Sequence, residues 1–384
     1  MSNRVDELLS KLLNGETSDI TPQSRIEAYL KALVDGSGTD GLPTPQSSSE
    51  AYFYALVEQG LGGGGGGEKL MFTDFSGFFN GGSRLEHLYD IDTSNGTDFS
   101  SAFRDCGTLT SISELDVSKG TDFSSMFRDC LALRTLPVLD TRNGTTFDYM
   151  FSSCNNLRTI QGLDTRNGTS FDHMFSYCTA LTSVPEPFDT GNATIFYSMF
   201  ANCSNLASIP ELNTSKGTDF RTMFSSTKGL FEIPVLDTRK GTKFGNMFGS
   251  SNVITIRGLY LDSATAVTDM FVSCKHLTNL YLYNIKTNLT IGSGTSYGHL
   301  LTLDSLIHTI RELRDAESSR TLTMGSENLA KLADVYVREI AITDEMRAED
   351  DLIDEKLPFE VCESTDEGAT LITEYVLYKN WQLK

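Results

Sequence analysis

A phenylalanine recurs about every 24 residues through the middle of the chain. The nine members of this series are Phe79, Phe103, Phe127, Phe151, Phe175, Phe200, Phe224, Phe248 and Phe271. Their successive spacings are 24, 24, 24, 24, 25, 24, 24 and 23 residues. A fixed period of this length predicts stacked structural repeats, because one unit has too little apolar surface to fold alone and must be covered by its neighbours.

The segment around each Met-Phe pair has a helical spacing of apolar residues. In "GTTFDYMF", Phe147, Met150 and Phe151 stand at positions i, i+3 and i+4, which lie on one face of a helix. Thr145 precedes this segment and can cap a first helical turn. The pattern therefore predicts a short helix in each repeat.

The remainder of each repeat indicates a strand and a turn. The stretch from Leu157 to Ile160 is apolar at both ends, and its counterparts in other repeats are rich in Thr and Ile, which favours a short strand. The pair Asn143 and Gly144 is typical of a tight turn with positive φ. Each repeat is thus predicted to be strand, turn and short helix, and the fold class is α/β.

A small residue stands three positions after each phenylalanine from the second repeat onward. This column contains Cys106, Cys130, Cys154, Cys178, Cys203, Thr227, Ser251 and Cys274. Replacement of Cys by Thr and Ser indicates a small, buried, slightly polar position, so we expect reduced thiols. A ladder of disulfides is the alternative.

The stretch "DTSNGTDFSSAFRDCGTLTSISELDVSKGTDFSSMFRDCLALRTL", which begins at Asp92, resembles a known repeat class. It is similar to the BspA-like leucine-rich repeats of bacterial surface proteins, whose units carry a Leu-Asp-Thr turn, Met-Phe, Cys and Leu-Thr-Ser-Leu. The resemblance covers residues 70–285. It implies a right-handed leucine-rich-repeat-like solenoid of about eight to nine 24-residue units.

The N-terminal flank contains a different repeat. "TPQSRIEAYLKALVDG" from Thr21 recurs as "TPQSSSEAYFYALVEQG" from Thr44, and both read as short amphipathic helices with capping boxes. Residues 1–61 are therefore predicted to be a small helical segment for attachment or oligomerisation. The glycine run Gly62–Gly67 predicts a hinge over residues 62–69, because polyglycine loses too much backbone entropy in a regular element.

Both flanks are similar to segments of virion structural and tail proteins from phages of Gram-positive hosts. At the C-terminal end, "ATLITEYVLYKNWQL" looks like the close of the terminal module of such tail proteins. Residues 286–384 are accordingly predicted to form an α+β module. An acidic insert from Ala341 to Glu367 interrupts it.

Charge and composition exclude several functions. The chain has 51 acidic and 31 basic residues, a formal charge of −20, which repels nucleic acid and anionic membrane surfaces. No stretch is apolar enough to span a bilayer and the N-terminus lacks an apolar leader, so we expect a soluble chain without membrane insertion or export. The His and Cys residues lack metal-ligand spacing. We predict no metal and no cofactor.

One motif has the form of a hydrolase nucleophile turn. Residues Gly294 to Gly298 fit the pattern G-x-S-x-G. A catalytic triad of that type requires an acid and then a distant histidine, whereas His299 and His308 follow the serine too closely. The sequence therefore predicts that the protein is not an enzyme.

Basic residues follow the turn aspartates and would align when the repeats stack. The predicted ridge consists of Lys119, Arg142, Arg166, Lys216, Arg239 and Lys240, and a shorter second row consists of Arg134 and Arg158. One reading is a solvated ridge that relieves the charge of the turn aspartates. The other is a binding site for an anionic polymer, such as a phosphate-bearing host wall glycan.

Two functions follow from these observations. The first is a bacteriophage virion protein of the tail, a fibre or another part of the particle surface. It would assemble in the host cytoplasm, oligomerise and contact other virion proteins through its N-terminal helices. It would present the solenoid outward, either to bind a host glycan or protein or as a structural spacer. The second is a bacterial surface adhesin of the BspA-like class.

Overall fold

The structure is a computed structural model. It describes residues 73–81, 93–112, 115–184, 186–291, 301–313, 320–324, 326–333, 335–339, 359–362, 366, 370–372 and 381–383. The predicted helical segment 1–61, the glycine hinge 62–69 and most of the acidic insert lie outside these residues. Within the described chain, no helix is both long and apolar enough to cross a membrane.

The repeats form coils that stack in parallel, and we call residues 73–291 the coil stack. A ladder of parallel β-bridges joins consecutive coils through equivalent positions, as between Asp98 and Asp122 and between Asp122 and Thr146. Each coil therefore pairs with the coil one repeat further along the chain. The handedness of the stack, and its assignment to the leucine-rich-repeat class, stay predictions.

The helix predicted around each Met-Phe pair is wrong, since the segment consists of consecutive turns. Ser125 has a φ of +56°, in the left-handed region that no α-helix contains. The N–H groups of Phe123 and Ser125 donate to the carbonyl oxygens of Thr146 and Asp148 in the next coil, at 3.0 and 2.7 Å, whereas the N–H of Met126 bonds back to Phe123 at 3.2 Å. The neighbouring coil supplies acceptors for alternate N–H groups, and this pattern replaces the hydrogen bonds of a helix.

Thr145 joins two coils instead of capping a helix. Its hydroxyl donates to the carbonyl oxygen of Thr121 at 3.1 Å, and its backbone N–H donates to the same oxygen at 2.9 Å. The equivalent threonine in the next coil is Thr169, and its hydroxyl donates to the carbonyl oxygen of Thr145 at 3.3 Å.

Among the repeat residues that the structure describes, the predicted strand is formed only in the last part of the stack. Residues Leu157 to Ile160 are not a strand. Strands β1 (Glu232–Leu236), β2 (Thr255–Tyr260) and β3 (Asn279–Tyr283) form a three-stranded parallel sheet in the order β1, β2, β3.

The core of the stack is a set of side-chain columns that run from coil to coil. Phe151 is fully buried, and its ring lies 5.7 Å from the rings of both Phe127 and Phe175, with interplanar angles of 3° and 7°. Parallel columns of buried Phe, Met, Cys and Leu side chains accompany it. The 24-residue period thus brings identical side chains into contact.

The described residues of the C-terminal part add two helices and six short strands. Their bounds are β4 (Leu289–Thr290), α1 (Leu303–Arg311), β5 (Arg320–Thr323), α2 (Ser326–Leu332), β6 (Tyr336–Glu339), β7 (Phe359–Cys362), β8 (Thr370–Leu371) and β9 (Trp381–Leu383). Strands β4, β5 and β9 form one parallel sheet, and β7, β6 and β8 form an antiparallel one.

Helix α1 packs against β3 and covers the outer edge of the sheet formed by β1, β2 and β3. The N–H of Leu280 donates to Ser305 Oγ at 3.1 Å, and His308 Nε2 lies 3.0 Å from the carbonyl oxygen of Leu282. These side chains take the place that the backbone of a further coil would occupy, so that an open sheet edge is protected.

Candidate functional site

The predicted basic ridge lies on the outside of the coil stack, and its best-defined members are two arginines in neighbouring coils. The side chains of Arg142 and Arg166 are 68% and 67% exposed. Each guanidinium bonds to the carboxylate two residues before it, Arg142 to Asp140 at 2.8 Å and Arg166 to Asp164 at 2.9 Å. Each positive charge is therefore paired within its own turn.

Two of the three lysines of the ridge bond to the preceding coil. Lys119 Nζ donates to Asn95 Oδ1 at 2.6 Å, and Lys216 Nζ donates to Asn192 Oδ1 at 2.7 Å. Both contacts span one repeat, so they link the turns of adjacent coils.

The remaining predicted residues are separate from this pair of arginines. Arg239 contacts Asp237 at 3.4 Å, and its guanidinium carbon lies 4.4 Å from the centre of the Tyr260 ring. Lys240, Arg134 and Arg158 are exposed side chains.

The pairing controls the charge that the ridge presents. The hydrogen bond from Arg142 lowers the pKa of the Asp140 carboxyl, and Asp140 raises the pKa of Arg142. Both groups are thus charged at neutral pH, and positive and negative charges alternate along the ridge. This is the arrangement expected if the ridge relieves the charge of the turn carboxylates. Binding of an anionic polymer stays a prediction.

A surface groove of about 600 Å³ runs beside Arg142 and Arg166. Its lining combines apolar side chains with the charged turn residues: Val138, Leu139, Asp140, Arg142, Gly162, Leu163, Asp164, Thr165, Arg166, Pro187 and Asp189. Val138 is 65% exposed although it is apolar. The structure therefore brings two of the eight predicted residues together at a groove that has an apolar part.

A second surface feature was missed by the sequence analysis. Five side chains from five coils form a row in which rings and guanidinium groups contact one another, in the order Arg128, Tyr149, His173, Tyr197 and Arg221. The rings of Tyr149 and His173 are nearly parallel, 4.5 Å apart at an angle of 7°. Arg128 lies 5.1 Å from the Tyr149 ring centre, and Arg221 lies 4.6 Å from that of Tyr197. We call these five residues the aromatic row.

Acidic side chains accompany the aromatic row. His173 Nδ1 lies 2.5 Å from Asp172 Oδ1, and the N–H of Asp172 donates to Asp148 Oδ1 at 3.0 Å. Burial raises the pKa of the Asp148 carboxyl. Its hydrogen bonds with Ser170 and Asp172 act to lower the pKa, but burial has the larger effect. The acidic side chains thus belong to the same contact network as the rings.

At the end of the aromatic row, Asp219 is buried between two cations. Arg221 Nη2 and Lys243 Nζ lie 2.7 and 3.3 Å from Asp219 Oδ2. Burial acts to raise the pKa of this carboxyl, but the hydrogen bonds and charge of Arg221, together with the hydrogen bond from Lys243, outweigh burial and the pKa is lowered.

A sequence signal for the aromatic row does exist. Tyr149 and His173 are 24 residues apart, as are His173 and Tyr197, so the repeat period alone places them in adjacent coils. The pattern of basic residues alone does not reveal these rings.

A smaller groove of about 480 Å³ lies towards the C-terminal end of the coil stack. Its rim includes Phe231 and Val235, which are 53% and 52% exposed, together with Glu211 and Glu232. The groove therefore has an apolar rim beside two carboxylates.

Residues Gly294 to Gly298, which fit G-x-S-x-G, lie outside the described residues. Among the described side chains, no group of three or more His, Cys, Asp or Glu residues is arranged to hold a metal ion.

Comparison with known proteins gives one match. Neither the curated proteins nor the solved structures include a chain that matches this one. The family model described as "Mycoplasma protein of unknown function, DUF285" matches residues 71–187, 135–231 and 169–284. Together these matches span residues 71–284, which are more than half of the chain and coincide with the coil stack. The chain therefore belongs to the DUF285 family.

Proposed function

We propose that this protein is a structural protein of a bacteriophage particle and that the coil stack is its host-facing or protein-binding part. The observation that carries the binding role is the groove beside Arg142 and Arg166, because it combines an exposed apolar side chain with alternating charges. Such a surface suits recognition of an extended ligand, since equivalent groups recur from one coil to the next.

The architecture supports presentation rather than catalysis. Backbone hydrogen bonds between consecutive coils, such as that from Ser125 N to Asp148 O, hold the surface side chains in fixed columns. We propose that the stack is a right-handed solenoid of the BspA-like leucine-rich-repeat class. The 24-residue parallel pairing is the support for this assignment.

The virion role rests on the flanks. Their similarity to phage tail proteins supports attachment to the particle, through residues 1–61 and through the C-terminal module. Helix α1 supports the second attachment, because its contacts with β3 join that module directly to the coil stack.

A bacterial surface adhesin is the second candidate. The family description supports it, because that description names a protein of Mycoplasma, which is a bacterium. In this case the same groove would contact a host or neighbouring cell.

Immunogold electron microscopy of the encoding strain tests both candidates. An antiserum against the full chain is applied to purified cell-free particles and to intact cells, with a preimmune serum as the control. Label on tails or fibres supports the virion role, and label on the cell envelope alone supports the adhesin. Absence of label from both the particles and the cell envelope contradicts both.

A variant distinguishes the role of the N-terminal segment. A chain that lacks residues 1–67 retains every repeat residue, so we expect it to fold but not to join particles. Its incorporation at the normal copy number would contradict N-terminal attachment and favour the C-terminal module.

A further inference from the structure

Three oxygen-bearing side chains meet where the coil stack joins α1. Asp262 follows β2, Asn284 follows β3, and Glu312 follows α1, so the three residues come from three consecutive layers of the structure. Asn284 has a φ of +60°, a left-handed conformation that asparagine adopts more readily than most residues.

Asn284 contacts both acidic residues. Its amide nitrogen Nδ2 donates to Asp262 Oδ1 at 2.8 Å, and its backbone N–H donates to Glu312 Oε2 at 3.1 Å. Two carboxylates from different layers are therefore held against the same asparagine.

The amide oxygen of Asn284 is a buried acceptor without a donor. The residue is 5% exposed, and its Oδ1 atom has no hydrogen-bond partner among the described residues. Glu312 is 7% exposed, so the junction is largely closed to bulk solvent. A buried polar atom of this kind requires a partner such as a bound ion or an internal water molecule.

The donor set has a definite chemical preference. Asp262, Asn284 and Glu312 offer carboxylate and amide oxygens and no nitrogen or sulfur ligand, a combination that suits hard cations. Ca²⁺ accepts such ligands in irregular geometry, whereas Mg²⁺ demands a near-octahedral arrangement. Ligands from two loops and a helix end favour the more tolerant ion.

We propose that Asn284 Oδ1, together with the carboxylates of Asp262 and Glu312, binds one Ca²⁺ ion at the junction of the coil stack and α1. Water molecules complete the coordination. The ion links the last coils to α1 and so stabilises the covered end of the stack. This inference concerns the folded chain itself and is independent of the proposed virion role.

Thermal unfolding of the full chain tests the site. Protein treated with a chelator and then dialysed is heated with and without about 1 mM CaCl₂, at constant ionic strength. We expect Ca²⁺ to raise the Tm by roughly 2–8 °C, because an ion that binds only the folded state stabilises it. Isothermal titration calorimetry should give about one ion per chain.

Two glycine variants separate a site from general charge screening. Asn284→Gly keeps the left-handed backbone and removes the amide oxygen, and Asn202→Gly makes the same change at another left-handed asparagine, φ +62°. We expect Asn202→Gly to respond like the wild type and Asn284→Gly to lose about ten-fold or more in Ca²⁺ affinity. Equal responses in both variants would show that Ca²⁺ only screens the charge of −20, and would overturn the proposal.

Two further measurements complete the test. Asp262→Asn preserves an acceptor for the Asn284 amide and removes one negative charge, so we expect about ten-fold weaker Ca²⁺ binding even if Asn284→Gly fails to fold. The absence of any Ca²⁺ response in the wild type would overturn the proposal. A response to Mg²⁺ equal to that to Ca²⁺ would overturn the assignment to calcium.

Discussion

The thiol of Cys154 donates a hydrogen bond of 3.1 Å to the carbonyl oxygen of Phe127, which belongs to the preceding coil. Cys178 makes the equivalent bond to Phe151 at 3.0 Å. Each of these thiols thus satisfies one buried carbonyl of the preceding coil. All six cysteines of the column are buried thiols outside any disulfide.

Thiol reactivity provides the first prediction. Burial raises the pKa of the Cys178 thiol to about 12, and the thiolate is the reactive form. We expect the native chain to react slowly with a thiol reagent at about pH 8 and the denatured, non-reduced chain to yield all seven thiols of the sequence. A yield of one or three would indicate disulfides.

The second prediction concerns the phenylalanine column. Phe151→Ala removes a fully buried ring that lies between two others, so the free energy of unfolding should fall by roughly 3–5 kcal/mol. Phe231→Ala is the control, because that ring is 53% exposed and its loss should cost much less. Denaturant unfolding measures both, and equal effects would contradict the stacked core.

The third prediction concerns the glycine of the turn. Gly144 has no positive φ; instead, a Cβ atom there would lie 2.6 Å from Phe147 Cζ and 2.8 Å from Phe123 Cε2. Gly144→Ala should therefore destabilise the chain by about 1–3 kcal/mol through overpacking.

Gly107→Ala is the matched control for this change. A Cβ atom at Gly107 would meet no atom within 4 Å, so no comparable loss is expected in a thermal melt. A harmless Gly144→Ala would show that the turn has room for a side chain.

The fourth prediction is a pH dependence at Asp219. The pKa of this carboxyl is lower in the folded chain than in the unfolded chain. Its ion pairs therefore stabilise the fold at pH values above the ordinary carboxyl pKa of about 4. This stabilisation is lost as the pH falls through the folded-state pKa. Arg221→Ala should cost about 1 kcal/mol at neutral pH, a modest value because the arginine is partly exposed.

The difference between the wild type and Arg221→Ala should shrink as the pH is lowered below about 4. Urea unfolding at several pH values measures it. Arg142→Ala removes an exposed partner of Asp140 and should have a smaller effect. A difference that is constant with pH would exclude the ion pair as its source.

The amino-acid sequence by itself determined the repeat and its core. The 24-residue period of phenylalanine, with Cys, Thr or Ser three residues later, was sufficient to predict stacking, because only neighbours of identical spacing can cover one another's apolar side chains. It also placed Arg142 and Arg166 in adjacent coils, which the structure brings to one groove.

The tertiary structure decided the backbone within each repeat. The spacing of Phe147, Met150 and Phe151 fits a helix, yet the adjacent coil offers carbonyl acceptors that make consecutive turns the better solution. Glycine is required at position 144 because the rings of Phe123 and Phe147 leave no space for a side chain, and not because of the backbone φ. Neither fact is local, so neither could be read from one repeat.

The junction with α1 depends most completely on the tertiary structure. Asp262, Asn284 and Glu312 follow no repeat spacing and meet only because α1 packs on β3. Contacts between residues that are distant in sequence depend on how separate elements dock, and periodicity within one element contains no information about that docking.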